Sequence, residues 1–124
     1  MLGAFDLQAI VKALPLLWEG MEVTLLLTFF GIVGGIGLGI VLAVIRLSRF
    51  RAVAALAAAY VAFFRALPLV LLIFWFFFLM PIFVGHSVGG FYSALIGFVL
   101  FEAAYFCEII RSGISGVRRG QVMA

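Results

Sequence analysis

The apolar residues divide the chain into long uncharged segments separated by short polar ones. No charged residue occurs between Val23 and Ile45, and none occurs between Ala66 and Phe101. About 20 apolar residues cross the hydrocarbon core of a bilayer, so the first segment has the length of one span and the second is too long for one. The second is interrupted at residues 81–90 (PIFVGHSVGG), where proline, glycine and serine predict a turn. The pattern therefore predicts three spans, near residues 23–45, 60–81 and 91–110.

These spans are predicted to be helices, because an open sheet would leave backbone amides and carbonyls unpaired in lipid. Ahead of them, residues 5–18 (FDLQAIVKALPLLW) carry apolar side chains at a spacing that predicts a short helix on the membrane surface, with Trp18 at headgroup level. A disordered leader is the alternative for this segment. The predicted fold class is an all-α integral membrane protein with three transmembrane helices and an amino-terminal surface helix.

Composition supports a membrane protein, since 68% of the residues are hydrophobic and 10% are charged, against about half and a quarter in soluble domains. The net charge of +3 could suggest nucleic acid, but its placement favours a lipid bilayer as the partner and no nucleic acid. Arginines follow the first and third predicted spans: Arg46, Arg49, Arg51, Arg111, Arg118 and Arg119. Because basic residues concentrate on the cytoplasmic side, the amino end is predicted outside and the carboxyl end inside.

Three glycines in the first predicted span, Gly31, Gly35 and Gly39, recur every four residues. Small residues on one helical face let another helix approach closely, which favours association where lipid supplies no hydrophobic driving force. The spacing therefore predicts a helix-packing face. Helix flexibility, or simple tolerance of glycine in lipid, is the alternative interpretation.

Arg65 lies about 8 Å deeper than Tyr60 along the predicted second span. Its side chain either extends back to the headgroups, lines a cavity, or pairs with an acid. Pro68 cannot donate a hydrogen bond to the carbonyl of Phe64, which loosens the helix beside this charge. The combination is a hint of a functional opening.

The third predicted span contains two acids, and only one of them has a basic residue at a spacing that allows an ion pair on the same helix. Glu108 and Arg111 are three residues apart and can pair on one helical face. Glu102 cannot reach Arg111 in this way, and an isolated carboxylate in lipid is costly. We therefore hypothesise an Arg65–Glu102 contact; protonation of Glu102, or a partner on a helix outside this chain, are the alternatives.

Signals of catalysis are missing from the sequence. His86 has no companion residues for a metal site or a catalytic triad, and Cys107 has no histidine near it in sequence. The glycines of the first span lack the Lys-Ser/Thr ending of a phosphate-binding loop. No enzymatic activity and no bound cofactor are expected for this chain.

Three longer stretches resemble polar amino-acid permease subunits of bacterial ATP-binding-cassette (ABC) importers. Residues 60–81 (YVAFFRALPLVLLIFWFFFLMP) match the Y-V-x-F-F-R-x-x-P-L segment of that family, and GMEVTLLLT with LAVIRLS flank the first span. The third stretch is FEAAYFCEIIRSGISGVRRGQ. Together they cover nearly the whole chain in the family's order. The chain looks most similar to the glutamate/aspartate permeases.

This resemblance implies a type I importer permease in the bacterial inner membrane that works by alternating access. Within such a permease, Arg65 and Glu102 are the candidates for a polar feature near the substrate path. The implied partners are a second permease subunit, a cytoplasmic ATP-binding subunit that hydrolyses ATP, and a periplasmic or extracellular solute-binding protein.

Such permeases usually have five spans and a cytoplasmic E-A-A…G loop that docks on the ATPase. Residues at the end of the chain correspond to the start of that loop: Gly120, Gln121, Val122, Met123 and Ala124. Met123 stands where the family usually has glutamate. The expectation is an amino-terminal fragment or a truncated gene product, with residues 1–124 forming part of a transmembrane domain.

Two functions of other classes remain possible from the residues alone. One is a small proton-coupled antiporter acting as a homodimer, which the chain length and the membrane-buried Glu102 would fit. The other is a structural or assembly subunit with no path of its own.

Overall fold

The computed structural model of the chain describes residues 6–117 and 119–123, and all regular secondary structure in these ranges is helical. The prediction of an all-α chain is confirmed. The helices are α1 (Leu7–Arg46), α2 (Arg51–Ala66), α3 (Leu69–Val84), α4 (Gly90–Ser115) and the short α5 (Arg119–Met123).

Helix α1 is a single element of 40 residues, about 60 Å long. Asp6 caps its amino end by accepting a hydrogen bond from the Gln8 amide at 3.0 Å. The prediction of a separate surface helix over residues 5–18 is therefore wrong for its described part, which forms the first turns of α1. The physical reason is that the connecting residues 16–22 (LLWEGME) are mostly good helix formers, so the helix continues past Pro15, which lies inside it.

The predicted second span over residues 60–81 is two helices and not one. Helix α2 ends at Ala66 and α3 begins at Leu69, and their axes differ by 104°. Pro68 adopts extended backbone at the N-cap of α3, with φ −66° and ψ 138°. A proline lacks an amide hydrogen and disfavours helical backbone in the residue before it, so the helix stops at this point and restarts in a new direction.

The turn predicted over residues 81–90 is shorter in the structure. Pro81 lies inside α3, which continues to Val84, and Gly85 ends the helix in the left-handed conformation with φ 85°. Glycine is suited to this cap because it has no Cβ to clash. Helix α4 then starts at Gly90 and extends to Ser115, beyond the predicted limits of 91–110.

Helix α4 lies at the centre of the fold, since α1, α2 and α3 all pack against it. The buried core forms where α1, α2 and α4 meet, and consists of Leu42, Ala43, Ala57, Val61, Ala103, Ala104 and Cys107. Most other large apolar side chains of the described helices are exposed, among them Phe29, Phe78 and Phe83. This is the distribution expected of helices whose outer surfaces meet lipid or further helices.

Two described helices, α1 and α4, are each long and apolar enough to cross a membrane. The bent pair α2–α3 gives a third crossing if its two arms are counted as one broken span. Each arm has 16 residues, fewer than the roughly 20 that cross a hydrocarbon core.

Candidate functional site

The contact between α1 and α4 is built on the glycine face of α1. Gly31, Gly35 and Gly39 are buried. A Cβ atom on Gly35 would lie 2.7 Å from the Cβ of Glu102, and one on Gly39 would lie 2.7 Å from the Cβ of Phe106. Two Cβ atoms cannot approach this closely. Helix α4 can therefore pack against the backbone of α1 only because glycine has a hydrogen atom in place of a side chain. The packing partner of these glycines is thus a helix of the same chain.

Glu102 lies beside this contact at the middle of α4, about 18–20 Å from either end of the helix. It lines a groove of about 310 Å³ between α1 and α4, together with Thr28, Gly31, Phe98 and Phe106. Phe98, Glu102 and Phe106 follow a four-residue spacing and share one face of α4.

The structure does not join Arg65 to Glu102. The exposed guanidinium of Arg65 lies over the ring of Tyr105, 5.6 Å from its centroid, and the Tyr105 hydroxyl is 3.5 Å from the Arg65 carbonyl oxygen. Among residues 6–117 and 119–123, the ion pairs do not include Arg65 or Glu102. The hypothesis of their contact is wrong because Glu102 faces α1, whereas Tyr105 occupies the side of α4 that meets the end of α2.

A charge cluster lies at the carboxyl end of α1, and the sequence predicted only one of its two ion pairs. Glu108 binds Arg111 at 2.5 Å, as its three-residue spacing predicted, and also binds Arg46 at 2.5 Å. Arg46 is 62 residues away in sequence, and no local pattern connects it to Glu108. Only the close packing of α1 on α4 brings its side chain there. One carboxylate therefore ties the ends of two helices together.

Two hydroxyl groups hold the bent pair against α4. The Tyr60 hydroxyl donates a hydrogen bond to the Leu100 carbonyl at 2.8 Å, and Tyr105 contacts the end of α2 as described above. On the other side of the bend, Ile73 of α3 packs at Gly97 of α4, where an added Cβ would meet it at 3.4 Å. Helix α4 is the common support for both arms.

The predicted start of the ATPase contact falls on α5. Gly120, Gln121, Val122 and Met123 belong to this short helix and are exposed, while Ala124 lies outside the described residues. His86 is exposed in the turn after α3 and Cys107 is buried in the core. Within the described ranges, the structure contains no cluster of three or more His, Cys, Asp or Glu side chains that could hold a metal ion.

Comparison with known proteins confirms the resemblance inferred from the sequence motifs. The chain is 44% identical over 127 aligned residues to the glutamate/aspartate import permease protein GltK of Escherichia coli O157:H7, which covers 97% of this chain and 57% of the relative. It is 35% identical to the arginine transport system permease protein ArtQ of Bacillus subtilis strain 168, over 94% of this chain and 53% of that protein. The chain thus spans just over half the length of these relatives. No family model matches the sequence.

The fold has a counterpart among solved structures. A chain in the crystal structure of an amino acid ABC transporter with histidines superposes with a TM-score of 0.85 at 28% sequence identity, covering 94% of this chain and 54% of that one. The fold described above therefore matches that of an ABC transporter permease. These comparisons give no support to the antiporter hypothesis.

Proposed function

We propose that this chain contributes its helices to the permease subunit of an ABC importer for polar amino acids. The observation that carries the proposal is the alignment of 97% of the chain with an amino-acid import permease at 44% identity. The similarity to a solved amino acid transporter chain supports it independently through the fold. In this role the chain forms part of a path through the membrane, and ATP is hydrolysed on a separate cytoplasmic subunit.

Glutamate and aspartate are the substrates we assign. Identity to the glutamate/aspartate permease is 44%, compared with 35% for the arginine permease, over similar lengths of this chain. Glutamate and arginine carry side chains of opposite charge, so a few residues along the path can alter the preference between them.

The arrangement of the helices suits alternating access. Helices α1 and α4 form a closely packed pair, because α4 lies directly on the glycine face of α1. The bent pair rests on α4 and is interrupted at Leu67 and Pro68. A rigid pair beside a broken helix provides both a fixed support and an element whose arms can change their relative orientation. Gly120, Gln121, Val122, Met123 and Ala124 are proposed to begin the ATPase contact, as the family resemblance implies.

The decisive experiment is uptake into proteoliposomes. The protein that carries this chain is reconstituted with its ATP-binding subunit and solute-binding protein, and entry of radiolabelled L-glutamate is measured. We expect uptake that requires ATP hydrolysis and is suppressed by excess aspartate more strongly than by excess arginine. Liposomes supplied with a non-hydrolysable ATP analogue are the control. Uptake that needs a proton gradient and not ATP would contradict the proposal.

We also propose a multi-pass location in the bacterial inner membrane, with the amino end outside and the carboxyl end inside. The support is the position of four arginines, all on one side in this topology. Arg46 ends α1, Arg49 lies between α1 and α2, Arg51 begins α2, and Arg111 is near the end of α4. In separate variants, a cysteine is introduced at Gln8 or at Val117, which are exposed at opposite ends of the fold, whereas the native Cys107 is buried. A membrane-impermeant thiol reagent added to intact cells should label the first and spare the second. The reverse pattern would invert the topology.

A further inference from the structure

Glu102 lies at the middle of α4, a helix long enough to cross a membrane, and no described residue pairs with its carboxylate. Within residues 6–117 and 119–123 it forms no hydrogen bond and no ion pair, in contrast to Glu108 on the same helix, which binds two arginines. An ionisable group at this depth is costly in hydrocarbon, so such groups generally face a cavity or a partner of opposite charge. A cation bound beside Glu102 would balance the charge of the carboxylate.

The groove beside Glu102 has features that suit a small cation. The aromatic rings of Phe98 and Phe106 lie on the same face of α4, one turn before and one turn after the carboxylate. Carboxylates bind ammonium groups through charge-assisted hydrogen bonds, and aromatic faces attract cations through their quadrupole. The groove volume of about 310 Å³ leaves space for an amino-acid-sized ligand.

Thr28 supplies a second acceptor on the opposite wall of the groove. Its hydroxyl already donates a hydrogen bond to the Thr24 carbonyl at 2.7 Å, so the hydroxyl proton is in use and the oxygen is left as an acceptor. An ammonium group has donors only. The groove therefore combines one anionic acceptor with one neutral acceptor. A primary ammonium group supplies the hydrogen-bond donors that both acceptors can use.

We propose that the groove between α1 and α4 binds the ammonium group of the transported amino acid, with Glu102 as its counter-ion. This inference rests on the proposed function, because it names the part of the substrate that this site recognises. Every amino acid carries the ammonium group, so Glu102 selects amino acids against other organic acids and does not distinguish one amino acid from another.

Uptake by substituted proteins provides the first test, in the reconstituted complex described above. Glu102→Gln keeps the shape of the side chain and removes its charge, and should reduce uptake at least about tenfold because a charge-assisted contact is lost. Glu102→Asp keeps the charge and should retain most of the uptake. Glu22→Gln, the same change at an exposed carboxylate of α1, is the matched control and should leave uptake unchanged. Normal uptake by Glu102→Gln would overturn the inference.

Thermal unfolding of the purified permease–ATPase complex, without the solute-binding protein, separates substrate binding from a structural role. L-glutamate should raise the melting temperature of the wild type, since a ligand stabilises the state that binds it, and should not raise that of Glu102→Gln. Without ligand, the Glu102→Gln complex should melt at the same temperature as the wild type or higher, since the substitution removes an unpaired charge. A lower melting temperature for unliganded Glu102→Gln, restored by Glu102→Asp, would assign Glu102 to an ion pair with another helix and overturn the inference. Absence of amino-acid uptake by the wild type would overturn the proposed function instead.

Discussion

Replacing Gly39 with alanine is expected to destabilise the protein by about 1–3 kcal/mol, the usual cost of overpacking a close contact. The added Cβ would lie 2.7 Å from the Cβ of Phe106, 3.1 Å from the Cys107 amide nitrogen and 3.2 Å from the Ala103 carbonyl oxygen. Two of these three atoms belong to the backbone of α4 and cannot rotate away. The whole of α4 would have to move outward to accommodate one methyl group.

The chain contains a matched control for this substitution. Gly37 lies on the same helix, two residues earlier, and a Cβ placed there meets no atom within 4 Å. Gly37→Ala should therefore be neutral or stabilise the helix by up to about 1 kcal/mol, because alanine loses less backbone entropy than glycine. Unfolding of both variants is followed in detergent. Equal behaviour of the two variants would show that the contact between α1 and α4 does not determine stability.

The second large effect is expected at Glu108. Substitution by glutamine removes both ion pairs and leaves Arg46 and Arg111 as two like charges at the same place. Breaking a buried ion pair costs about 3–5 kcal/mol. These side chains remain between about a fifth and a third exposed, which weakens the interaction, so we expect a loss of about 1–3 kcal/mol in the free energy of unfolding.

A double-mutant cycle assigns this energy to its contacts. Arg46→Gln combined with Glu108→Gln should destabilise less than the sum of the two single changes, with a coupling of about 0.5–3 kcal/mol. Glu22→Gln, at an exposed carboxylate, serves as the control and should change stability by less than about 0.5 kcal/mol. The pair joins α1 to α4, so additive effects would mean that the contact contributes nothing to holding the helix ends together.

The sequence predicted those features that depend on local patterns. Uncharged segments located the apolar helices, the glycine spacing predicted a packing face, and the spacing of Glu108 and Arg111 predicted their pair. Each of these follows from the helical repeat alone, which relates residues three or four positions apart.

The features that escaped prediction depend on how distant helices are oriented. Pro68 indicated a weak point in the helix, but the direction of the 104° bend depends on the packing of both arms against α4. Arg46 and Glu108 meet only because α1 and α4 pack along their lengths. Likewise, Arg65 meets Tyr105 only because α2 packs against α4. The continuity of α1 was missed because the first span was taken to begin at Val23, after Glu22, although the helix includes both Pro15 and Glu22.

The interruption at Leu67 and Pro68 also restricts where lipid can be. A helix that stops leaves its last carbonyl groups without intrahelical donors, and a helix that starts leaves its first amides without acceptors. Hydrocarbon offers neither, so irregular backbone at membrane depth persists only where protein or water surrounds it. If the two arms form one broken span, the bend between α2 and α3 lies where acyl chains are excluded, and the surface of the chain around it faces protein or water.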